Sequence, residues 1–457
     1  MNESTTSITK VFTGSASLAA IGLNLKELKV FEPIEQGVQI AQKTVKDRPT
    51  DKLYDALISI LAGAHGLVEI NTRLRADVAL QRAFGRSRCA EQSVVQDTLN
   101  ACTAENVEQM EQALDSMYRQ HSQGYQHDYQ ASFQVLDVDM SGLPCGPKAA
   151  FATKGYFATQ RNRRGRQLGR VLASQYGEVV VERLFDGKTQ LTRALQPLLL
   201  AAEQTLQLEE EQRRRTIVRL DAGGGSLDDV NWLFARGYLV HCKDYSGKQA
   251  THLAKSVHDW YVDPHLPERQ FGWVTEATDA YVHPVKRIAV RCRKQDGEFA
   301  YGVLISALSA QHVLGLTGQP LSLLDDPATV LLAYVTFYDQ RGGGVETSFK
   351  GDKQGLGMTK RSKKRFEAQQ MLLLLGALAH NVILWARRWL AAVPLQQYGI
   401  LRMVRDVLHI SGFLVLDAGG QIIQLVLNQA APLAPVLVQP LRGLLAPTHI
   451  AVNLGQT

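Results

Sequence analysis

Residues 131 to 245 alternate between strand-like and helix-like patterns in an order that restricts the fold. Three apolar, strand-like runs come first, and a helix, a strand, a second helix and a fifth strand follow. The strand-like runs are residues 133–140, 167–174, 178–185, 216–221 and 238–241, and the helix-like runs are 191–212 and 227–236. Strands that alternate with helices predict a sheet covered by helices. The predicted fold class is therefore α/β.

Carboxylates occur at two of these strand ends and after a glycine-rich segment. Asp139 closes the first predicted strand, Asp221 closes the fourth, and Glu346 follows three glycines and opens a charged, helix-like stretch. Asp137 stands two residues before Asp139 and would point to the same face of the strand, so both are candidates. A lone strand-end aspartate more often caps a helix. Three carboxylates that converge from such elements could instead bind two Mg²⁺ ions for phosphodiester cleavage.

Polar residues flank Glu346 at regular spacings. Tyr338 and Arg341 precede it, and Lys350 and Lys353 follow it by four and seven residues. On a helix these spacings place both lysines on the face of Glu346. A metal-binding carboxylate beside cations that bind phosphate is typical of a nuclease surface.

These residues resemble the Tyr–Arg–Glu–Lys signature of bacterial insertion-sequence transposases of the DDE class. The signature places two residues between Tyr and Arg, three between Arg and Glu, and six between Glu and Lys. Tyr338, Arg341, Glu346 and Lys353 match it except that four residues separate Arg341 from Glu346, and we expect a glycine-rich turn to absorb the extra one. The metal ligand of the family commonly precedes Ser or Thr by two residues, as Asp139 precedes Ser141, which favours Asp139 over Asp137.

The resemblance covers roughly residues 130 to 395 and implies a Mg²⁺-dependent DNA transposase with a ribonuclease-H-like core. In that fold the first and fourth strands are adjacent. Asp139, Asp221 and Glu346 would be the catalytic residues and the ligands of two Mg²⁺ ions, for which Mn²⁺ can substitute. The implied partners are double-stranded DNA, both as inverted-repeat ends and as target, and a second copy in a homodimer on DNA. The DNA-binding residues implied by the signature are Tyr338, Arg341 and Lys353, and Lys350 is added because it shares the helix face of Glu346 and Lys353.

Two functions of other kinds compete with this interpretation. One is a ribonuclease-H-like nuclease that cuts DNA without joining it. The other is a catalytically inactive, DNA-binding derivative, against which the presence of all three acids argues.

Two basic runs lie near the proposed site residues. Residues 161–166 include Arg163 and Arg164, and residues 360–365 include Lys363 and Lys364. Runs of charge usually form solvated faces. Because both runs flank candidate metal ligands, we predict that these four residues contact DNA.

The pattern along the chain predicts five segments. Residues 1–130 form a helical, DNA-binding domain, in which two helical patterns on either side of Gly85 fit a helix-turn-helix reader or an ordinary helical hairpin. Residues 131–245 and 331–395 form the two parts of the catalytic core. Residues 246–330 form a separate inserted β-rich domain, and residues 396–457 a C-terminal extension. The residues that favour DNA binding by the first segment are Arg73, Arg75, Arg82, Arg86 and Arg88.

Composition sets the remaining expectations. The 457 residues are 45% hydrophobic and 21% charged, and the net charge of +6 permits binding to nucleic acid. Five cysteines without C-x-x-C spacing predict reduced thiols and neither disulfides nor a zinc site. The N-terminus lacks the pattern of a signal peptide. The longest apolar helix, at 371–393, carries two arginines and is predicted to be buried and not membrane-spanning. A cytoplasmic bacterial protein associated with the nucleoid is expected.

Overall fold

Two groups of chain segments pack separately in the computed structural model, which describes residues 8–43, 46–157 and 160–456. The first group, here called the helical unit, comprises Met1–Ser122, Leu143–Ala152 and Phe349–Thr457. The second, here called the sheet unit, comprises Gln123–Gly142 and Thr153–Ser348. The three acids of the predicted site all belong to the sheet unit.

Fourteen strands and sixteen α-helices lie in the described residues. The strands are β1 Thr9–Thr13, β2 Gln134–Pro144, β3 Thr153–Phe157, β4 Gln160–Ala173, β5 Glu178–Asp186, β6 Thr216–Leu220, β7 Leu239–Lys243, β8 Tyr261–Val262, β9 Arg269–Trp273, β10 Lys286–Arg293, β11 Phe299–Ser306, β12 Gly412–Leu416, β13 Ile422–Asn428 and β14 Ala451–Gly455. The helices are α1 Ala16–Glu27, α2 Glu32–Gly37, α3 Pro49–Leu61, α4 Val78–Ala83, α5 Gln92–Ala101, α6 Ala104–His121, α7 Leu191–Leu206, α8 Glu210–Arg214, α9 Leu227–Ala235, α10 Gly247–Leu253, α11 Ala310–Leu316, α12 Pro327–Arg341, α13 Thr347–Gly355, α14 Phe366–Leu390, α15 Ile400–Arg402 and α16 Ala434–Leu445.

A ten-stranded mixed sheet organises the sheet unit. Its strand order is β3-β4-β2-β6-β7-β11-β10-β9-β8, and β5 pairs with β4. β2, β6 and β7 run parallel to one another, and Val138 of β2 lies opposite Leu220 of β6. The first and fourth predicted strands are therefore neighbours, as expected. The α/β fold class with a mixed sheet flanked by helices is confirmed.

One helix covers the part of the sheet below the predicted site. The buried Tyr334 of α12 packs in one apolar cluster with Val135 of β2, Ile217 of β6 and Ile288 of β10. Burial of such side chains stabilises the fold by about 25 cal/mol for each Å² of apolar surface removed from water. Because α12 ends at Arg341, this packing also fixes the start of the segment that carries Glu346.

The prediction of a separate β-rich domain at residues 246–330 is corrected by the sheet pairing. β11 pairs antiparallel with β7, with Ser306 opposite His241, and β10, β9 and β8 continue the same sheet outwards. The alternating basic residues of β10 suggested a strand with one solvated face. In the structure Ile288 and Ala289 are buried on opposite faces, in two different apolar clusters. Both faces of β10 are therefore covered, and these strands belong to the core sheet.

The helical unit has one core, to which both ends of the chain contribute. Leu57 of α3, Leu99 of α5 and Met110 of α6 lie in the same buried cluster as Leu375 and Trp385 of α14. A four-stranded sheet in the order β1-β12-β13-β14 joins an N-terminal strand to three C-terminal ones. Residues 1–130 and 396–457 thus do not form the two separate segments that the sequence predicts, because their apolar faces meet on α14.

α14 is long and apolar enough to cross a membrane by length and composition, and it is the one helix in the described part of the chain for which this holds. Within the structure, 94% of that apolar stretch is buried. The helix occupies the core of the helical unit, as the sequence predicts for a buried helix.

The arginine cluster that favoured DNA binding by the N-terminal segment is largely engaged in ion pairs. Arg86 is buried, and its Nε lies 2.8 Å from Asp55 Oδ1. Arg73, Arg75 and Arg88 pair with Glu69, Glu91 and Asp47. The helical pattern before Gly85 forms only the short α4, and a π-helical turn at Ile70–Leu74 precedes it. These contacts give the arginines a structural role within the helical unit.

A buried histidine makes the stability of the sheet unit depend on pH. His241 of β7 is fully buried, and its ring nitrogens lie 3.0 Å from Ser306 Oγ and 3.1 Å from the Tyr334 carbonyl oxygen. Burial, together with the charge of Arg219, lowers the pKa of His241 from 6.5 to about 3. The folded protein therefore binds fewer protons than the unfolded chain, and this stabilisation, present above pH 6.5, is lost as the pH falls towards 3.

We expect the free energy of unfolding to fall more steeply with decreasing pH in the wild type than in a His241→Gln variant. Between pH 6.5 and 4.5 the difference in slope should approach about 1.4 kcal/mol per pH unit. Urea denaturation at several pH values measures it. His258→Gln is the matched control, because His258 is exposed and its loss should leave the slope unchanged. Equal slopes for the wild type and His241→Gln would contradict the prediction.

Candidate active site

Two aspartates lie side by side where the parallel pairing of β2 with β6 ends, although β2 itself continues beyond Asp139 to Pro144. Asp139 follows Val138 and Asp221 follows Leu220, and Val138 and Leu220 are register partners. Asp139 is 14% exposed, and its Oδ1 accepts a hydrogen bond of 2.7 Å from the backbone N–H of Met140. Asp221 caps a short 3₁₀ turn, and its Oδ1 accepts from the N–H of Gly223 at 2.8 Å. Asp221 therefore acts as a cap and still lies at the shared strand edge.

The glycine-rich segment before Glu346 is helical, and the expected turn is corrected. α12 passes into a π-helical turn, Gly342–Glu346, and this turn passes into α13. A π turn bonds residue i to i+5 where an α-helix bonds i to i+4, so it accommodates one additional residue. The fourth residue between Arg341 and Glu346 is thus absorbed as a π turn, which keeps the two side chains in contact.

Arg341 lies between the acids of the strand edge and the acid of the helix. Its Nη1 donates to Asp139 Oδ2 at 3.1 Å, and its Nη2 donates to Glu346 Oε1 at 2.7 Å. The arginine side chain is 7% exposed, whereas that of Glu346 is 54% exposed. The buried Nε of Arg341 has no hydrogen-bond partner in the part of the chain that the structure describes. One guanidinium therefore bridges two acids that are 207 residues apart in sequence (346 − 139).

The three acids Asp139, Asp221 and Glu346 carry more negative charge than Arg341 balances. Burial raises the pKa of Asp139 to about 6 although Arg341 opposes the rise, and the negative charge of Asp221 adds to it. Burial would lower the pKa of the Arg341 guanidinium, but the charges of Asp139, Tyr338, Asp221 and Glu346 raise it above its usual value. Asp221 is therefore close enough to act electrostatically on both residues. The raised pKa means that the surroundings compensate the negative charge of Asp139 incompletely. A further cation beside this carboxylate would therefore be favoured.

The donor set suits a hard divalent cation. Carboxylate oxygens are the side-chain ligands that Mg²⁺ prefers. In the described part of the chain no three Asp, Glu, His or Cys side chains lie close enough together to hold a metal ion as they stand. Arg341 occupies the space between Asp139 and Glu346. A cation that took both of these carboxylates as ligands would have to displace the guanidinium.

Asp137, the second candidate in the first strand, lies in the core. Its carboxylate is 0% exposed and is bound by two nitrogens of Arg219, at 2.7 and 2.9 Å, and by the hydroxyl of Ser174. A carboxylate with these partners has no free face for a ligand. The geometry therefore favours Asp139 as the acid of the site.

Arg219 contacts the site region without having been a candidate from the sequence, although a signal for it was present. Arg219 lies in β6, all of whose residues are buried, and it is the register partner of Asp137 in β2. Arginine and aspartate are almost never fully buried unless they are paired. Opposite charges at matching positions of two predicted core strands therefore indicate a buried ion pair.

The predicted DNA-binding residues of the sheet unit differ in exposure. Arg163 and Arg164 are exposed on β4, where Arg164 lies opposite Lys154 of β3. Tyr338 is half-buried, and burial raises the pKa of its hydroxyl to about 12. Its ring centre lies 6.0 Å from the guanidinium carbon of Arg341. The structure thus brings Tyr338 and Arg341 to the acids and places Arg163 and Arg164 on an exposed hairpin.

The four predicted lysines belong to the helical unit. Lys350 and Lys364 are exposed, and Lys353 is half-buried on α13. Lys363 is also half-buried, and its ammonium group donates to Gln96 Oε1 at 2.6 Å. Burial, with the charge of Arg361, lowers the pKa of Lys363 to about 8. Lys350 and Lys364 therefore offer the more accessible charges.

Comparison with known proteins gives a similarity to a solved structure and none to a family model or a curated protein. A solved structure, the cryo-EM structure of a piggyBac transposase synaptic complex with hairpin DNA, is similar with a TM-score of 0.46 and 11% sequence identity. The similarity covers 93% of this chain and 81% of that chain. A TM-score and an identity this low carry no argument about function, which depends here on the geometry of the acids.

Proposed function

We propose that this protein is a DNA transposase of an insertion sequence, which cleaves the ends of the element and transfers them to target DNA. One observation carries the proposal: Asp139 and Glu346 both bond the guanidinium of Arg341, and the charge of Asp221, just beyond the end of β6, also acts on it. Three carboxylates with one arginine leave an excess of negative charge, which suits the binding of two Mg²⁺ ions, or of Mn²⁺ in their place. The spacing of Tyr338, Arg341, Glu346 and Lys353 supports the same proposal.

In the proposed reaction the three acids are the metal ligands. When bound, the two ions supply an activated water and stabilise the leaving 3′-oxygen at the scissile phosphodiester. Water attacks the phosphorus, the bond to the 3′-oxygen breaks, and that oxygen takes up a proton lost by the water, which leaves a 5′-phosphate and a free 3′-hydroxyl. The 3′-hydroxyl then loses its proton and attacks a target phosphodiester, so that it becomes joined to the 5′-phosphate side of the target while the 3′-oxygen of the target leaves and takes up a proton. Arg341 and Tyr338 would support the DNA strand beside the scissile bond. Such positioning raises the reaction rate strongly, because the reacting atoms are held in line.

The DNA would be held mainly through its phosphates. Arg163 and Arg164 on the exposed hairpin and the exposed Lys350 and Lys364 are the cations best placed to reach solvent. Lys353 and Lys363 would contribute only after they exchange their present surroundings for phosphate oxygens. A protein that cuts two element ends together is proposed to act as a homodimer on DNA, at the nucleoid of a bacterial cell.

A strand-transfer assay tests the proposed function. The purified protein, Mg²⁺ and a labelled duplex that ends in the inverted repeat flanking the gene are incubated with a supercoiled target plasmid. A transposase should release a 3′-hydroxyl end and join it covalently to the plasmid, and omission of the metal should prevent both steps. Cleavage without joining would show a ribonuclease-H-like nuclease. Binding without cleavage at any Mg²⁺ or Mn²⁺ concentration would show a DNA-binding derivative.

A further inference from the structure

A single buried ion pair contacts every chain segment that carries an acid of the site. Asp137 stands two residues before Asp139 in β2, and Arg219 stands two residues before Asp221 in β6. Residues two apart on a strand share a face. The side chains of Asp137 and Arg219 are 0% and 4% exposed and form a bidentate pair. The pair therefore lies under the two aspartates and joins their strands through side chains as well as backbone.

The same arginine also binds the helix that leads to Glu346. Its remaining Nη1 donates to the carbonyl oxygen of Phe337 in α12 at 2.6 Å. Its guanidinium carbon also lies 4.6 Å from the centre of the Phe337 ring. Four residues beyond Phe337, α12 ends at Arg341. Arg219 thus fixes the distance between β6 and the helix.

Gly344 brings the π turn against the other member of the pair. A Cβ atom at Gly344 would lie 2.5 Å from Asp137 Oδ2 and 3.5 Å from Ser174 Oγ. Asp137 could not move aside without breaking its bonds to Arg219 and Ser174. The turn that ends in Glu346 therefore rests on the carboxylate of Asp137, and only glycine permits this approach.

We infer that Asp137, Arg219 and Gly344 are positioning residues, which hold Asp139, Asp221 and Glu346 at the separation that the proposed metal-dependent reaction needs. The inference rests on the proposed function. A buried ion pair adds little stability compared with apolar side chains of the same volume, because both charges lose their hydration. It does provide directed hydrogen bonds, and here these bonds join β2, β6 and α12.

Alanine substitutions at two neighbouring glycines test the inference. Gly344→Ala forces the π turn away from Asp137, whereas a Cβ at Gly343 would meet nothing within 4 Å. We expect Gly344→Ala to weaken Mn²⁺ binding, measured by electron paramagnetic resonance without DNA. We also expect it to reduce single-turnover cleavage about 100-fold, since an error of 1 Å in position has effects of that size. Its Kd for DNA should not change, and Gly343→Ala should behave as the wild type in all three measurements.

A second variant separates positioning from stability. Asp137→Leu combined with Arg219→Met removes both charges together, so no unpaired charge stays buried, and such replacements commonly preserve or raise stability. We expect this double variant to fold with a melting temperature close to that of the wild type, to cleave about 100-fold more slowly and to bind Mn²⁺ more weakly. If Gly344→Ala does not fold, this double variant tests the positioning role by itself.

The outcomes distinguish this inference from the proposed function. Wild-type Mn²⁺ affinity and cleavage in folded Gly344→Ala and in the double variant would overturn the positioning role and leave the proposed function intact. A wild-type protein that neither binds Mn²⁺ nor cleaves element ends would refute the proposed function itself. Slow cleavage with an unchanged Kd for DNA in both variants, and normal cleavage in Gly343→Ala, would support the inference.

Discussion

Replacing any one of the three acids should abolish cleavage. Asp139→Asn, Asp221→Asn and Glu346→Gln each remove one charged ligand while they keep the shape of the side chain. We expect the rate of Mg²⁺-dependent cleavage at element ends to fall about 1,000-fold or more, because the remaining two acids cannot hold two ions in the geometry of an in-line displacement. Binding to element ends should persist, since the cations that contact phosphate are unchanged.

Asp137→Asn supplies the comparison within the same strand. Asp137 is buried against Arg219, so its loss should slow cleavage through displaced acids without removing a ligand. The variant should stay measurably active under conditions in which Asp139→Asn is inactive. Gel assays of single-turnover cleavage, with DNA binding measured in parallel, decide between the two residues. Activity in Asp139→Asn together with complete loss in Asp137→Asn would reassign the ligand, and full cleavage by Asp221→Asn would refute the two-metal mechanism.

The adjacency of Asp139 and Asp221 could be predicted because the order of strands and helices resembles that of a ribonuclease-H-like core, in which the first and fourth strands are adjacent. Each ends an apolar run of strand length, and the intervening strand and helix order restricts how the strands can be arranged. The parallel register that places Val138 opposite Leu220 agrees with that prediction. The sequence also distinguished Asp139 from Asp137 as the better candidate, and the structure gives a physical basis for the choice in the buried pair with Arg219.

The extent of the sheet could not be predicted in the same way. β10 alternates apolar and basic residues, a pattern that describes a strand with one wet face whether or not the strand joins the core. The decisive fact is the pairing of β11 with β7, a contact between residues 61 to 65 positions apart (304 − 243 and 306 − 241). Likewise, the sequence shows the apolar faces of α3 and α14. It does not show that these two faces pack against each other, because that contact joins parts of the chain that are far apart in sequence.

The π turn shows why the spacing of a motif can differ while its geometry persists. Three consecutive glycines predict a turn, because glycine is unfavourable in a helix by about 1 kcal/mol per residue. Here Gly344 is needed for the close approach to Asp137, and the helix tolerates the glycines because Val345 and Phe349 are buried on either side of Glu346. The additional residue between Arg341 and Glu346 therefore leaves their side chains in hydrogen-bond contact.

The position of Arg341 has a consequence for metal binding. In the structure the guanidinium binds Asp139 and Glu346, so a metal ion that takes these two carboxylates as ligands must first displace it. A DNA phosphate offers the displaced arginine a new anionic partner. Metal binding and DNA binding should therefore favour each other, and Arg341 is the group that connects them.

Removing Arg341 should accordingly tighten metal binding and slow DNA cleavage. In Arg341→Gln the carboxylates of Asp139 and Glu346 lose their cation and gain no other. We expect Mn²⁺ to bind about tenfold more tightly to the DNA-free variant than to the wild type, since hydrogen bonds to charged groups contribute about 1.5–3 kcal/mol each and only part of this is recovered by the glutamine. Electron paramagnetic resonance at pH 7.5 measures it, above the pKa of about 6 to which burial raises Asp139.

Cleavage by the same variant should fall, because the arginine is no longer present to support the DNA strand. Tighter Mn²⁺ binding together with slower cleavage distinguishes the predicted role of Arg341 from general damage to the fold. Arg269→Gln is the matched control: Arg269 also bonds two carboxylates of the sheet unit, Asp263 at 2.7 Å and Asp339 at 2.6 Å, but it contacts none of the three acids. Its loss should leave the affinity for Mn²⁺ unchanged. Weaker Mn²⁺ binding in Arg341→Gln than in the wild type would show that the guanidinium organises the acids for the metal and does not compete with it.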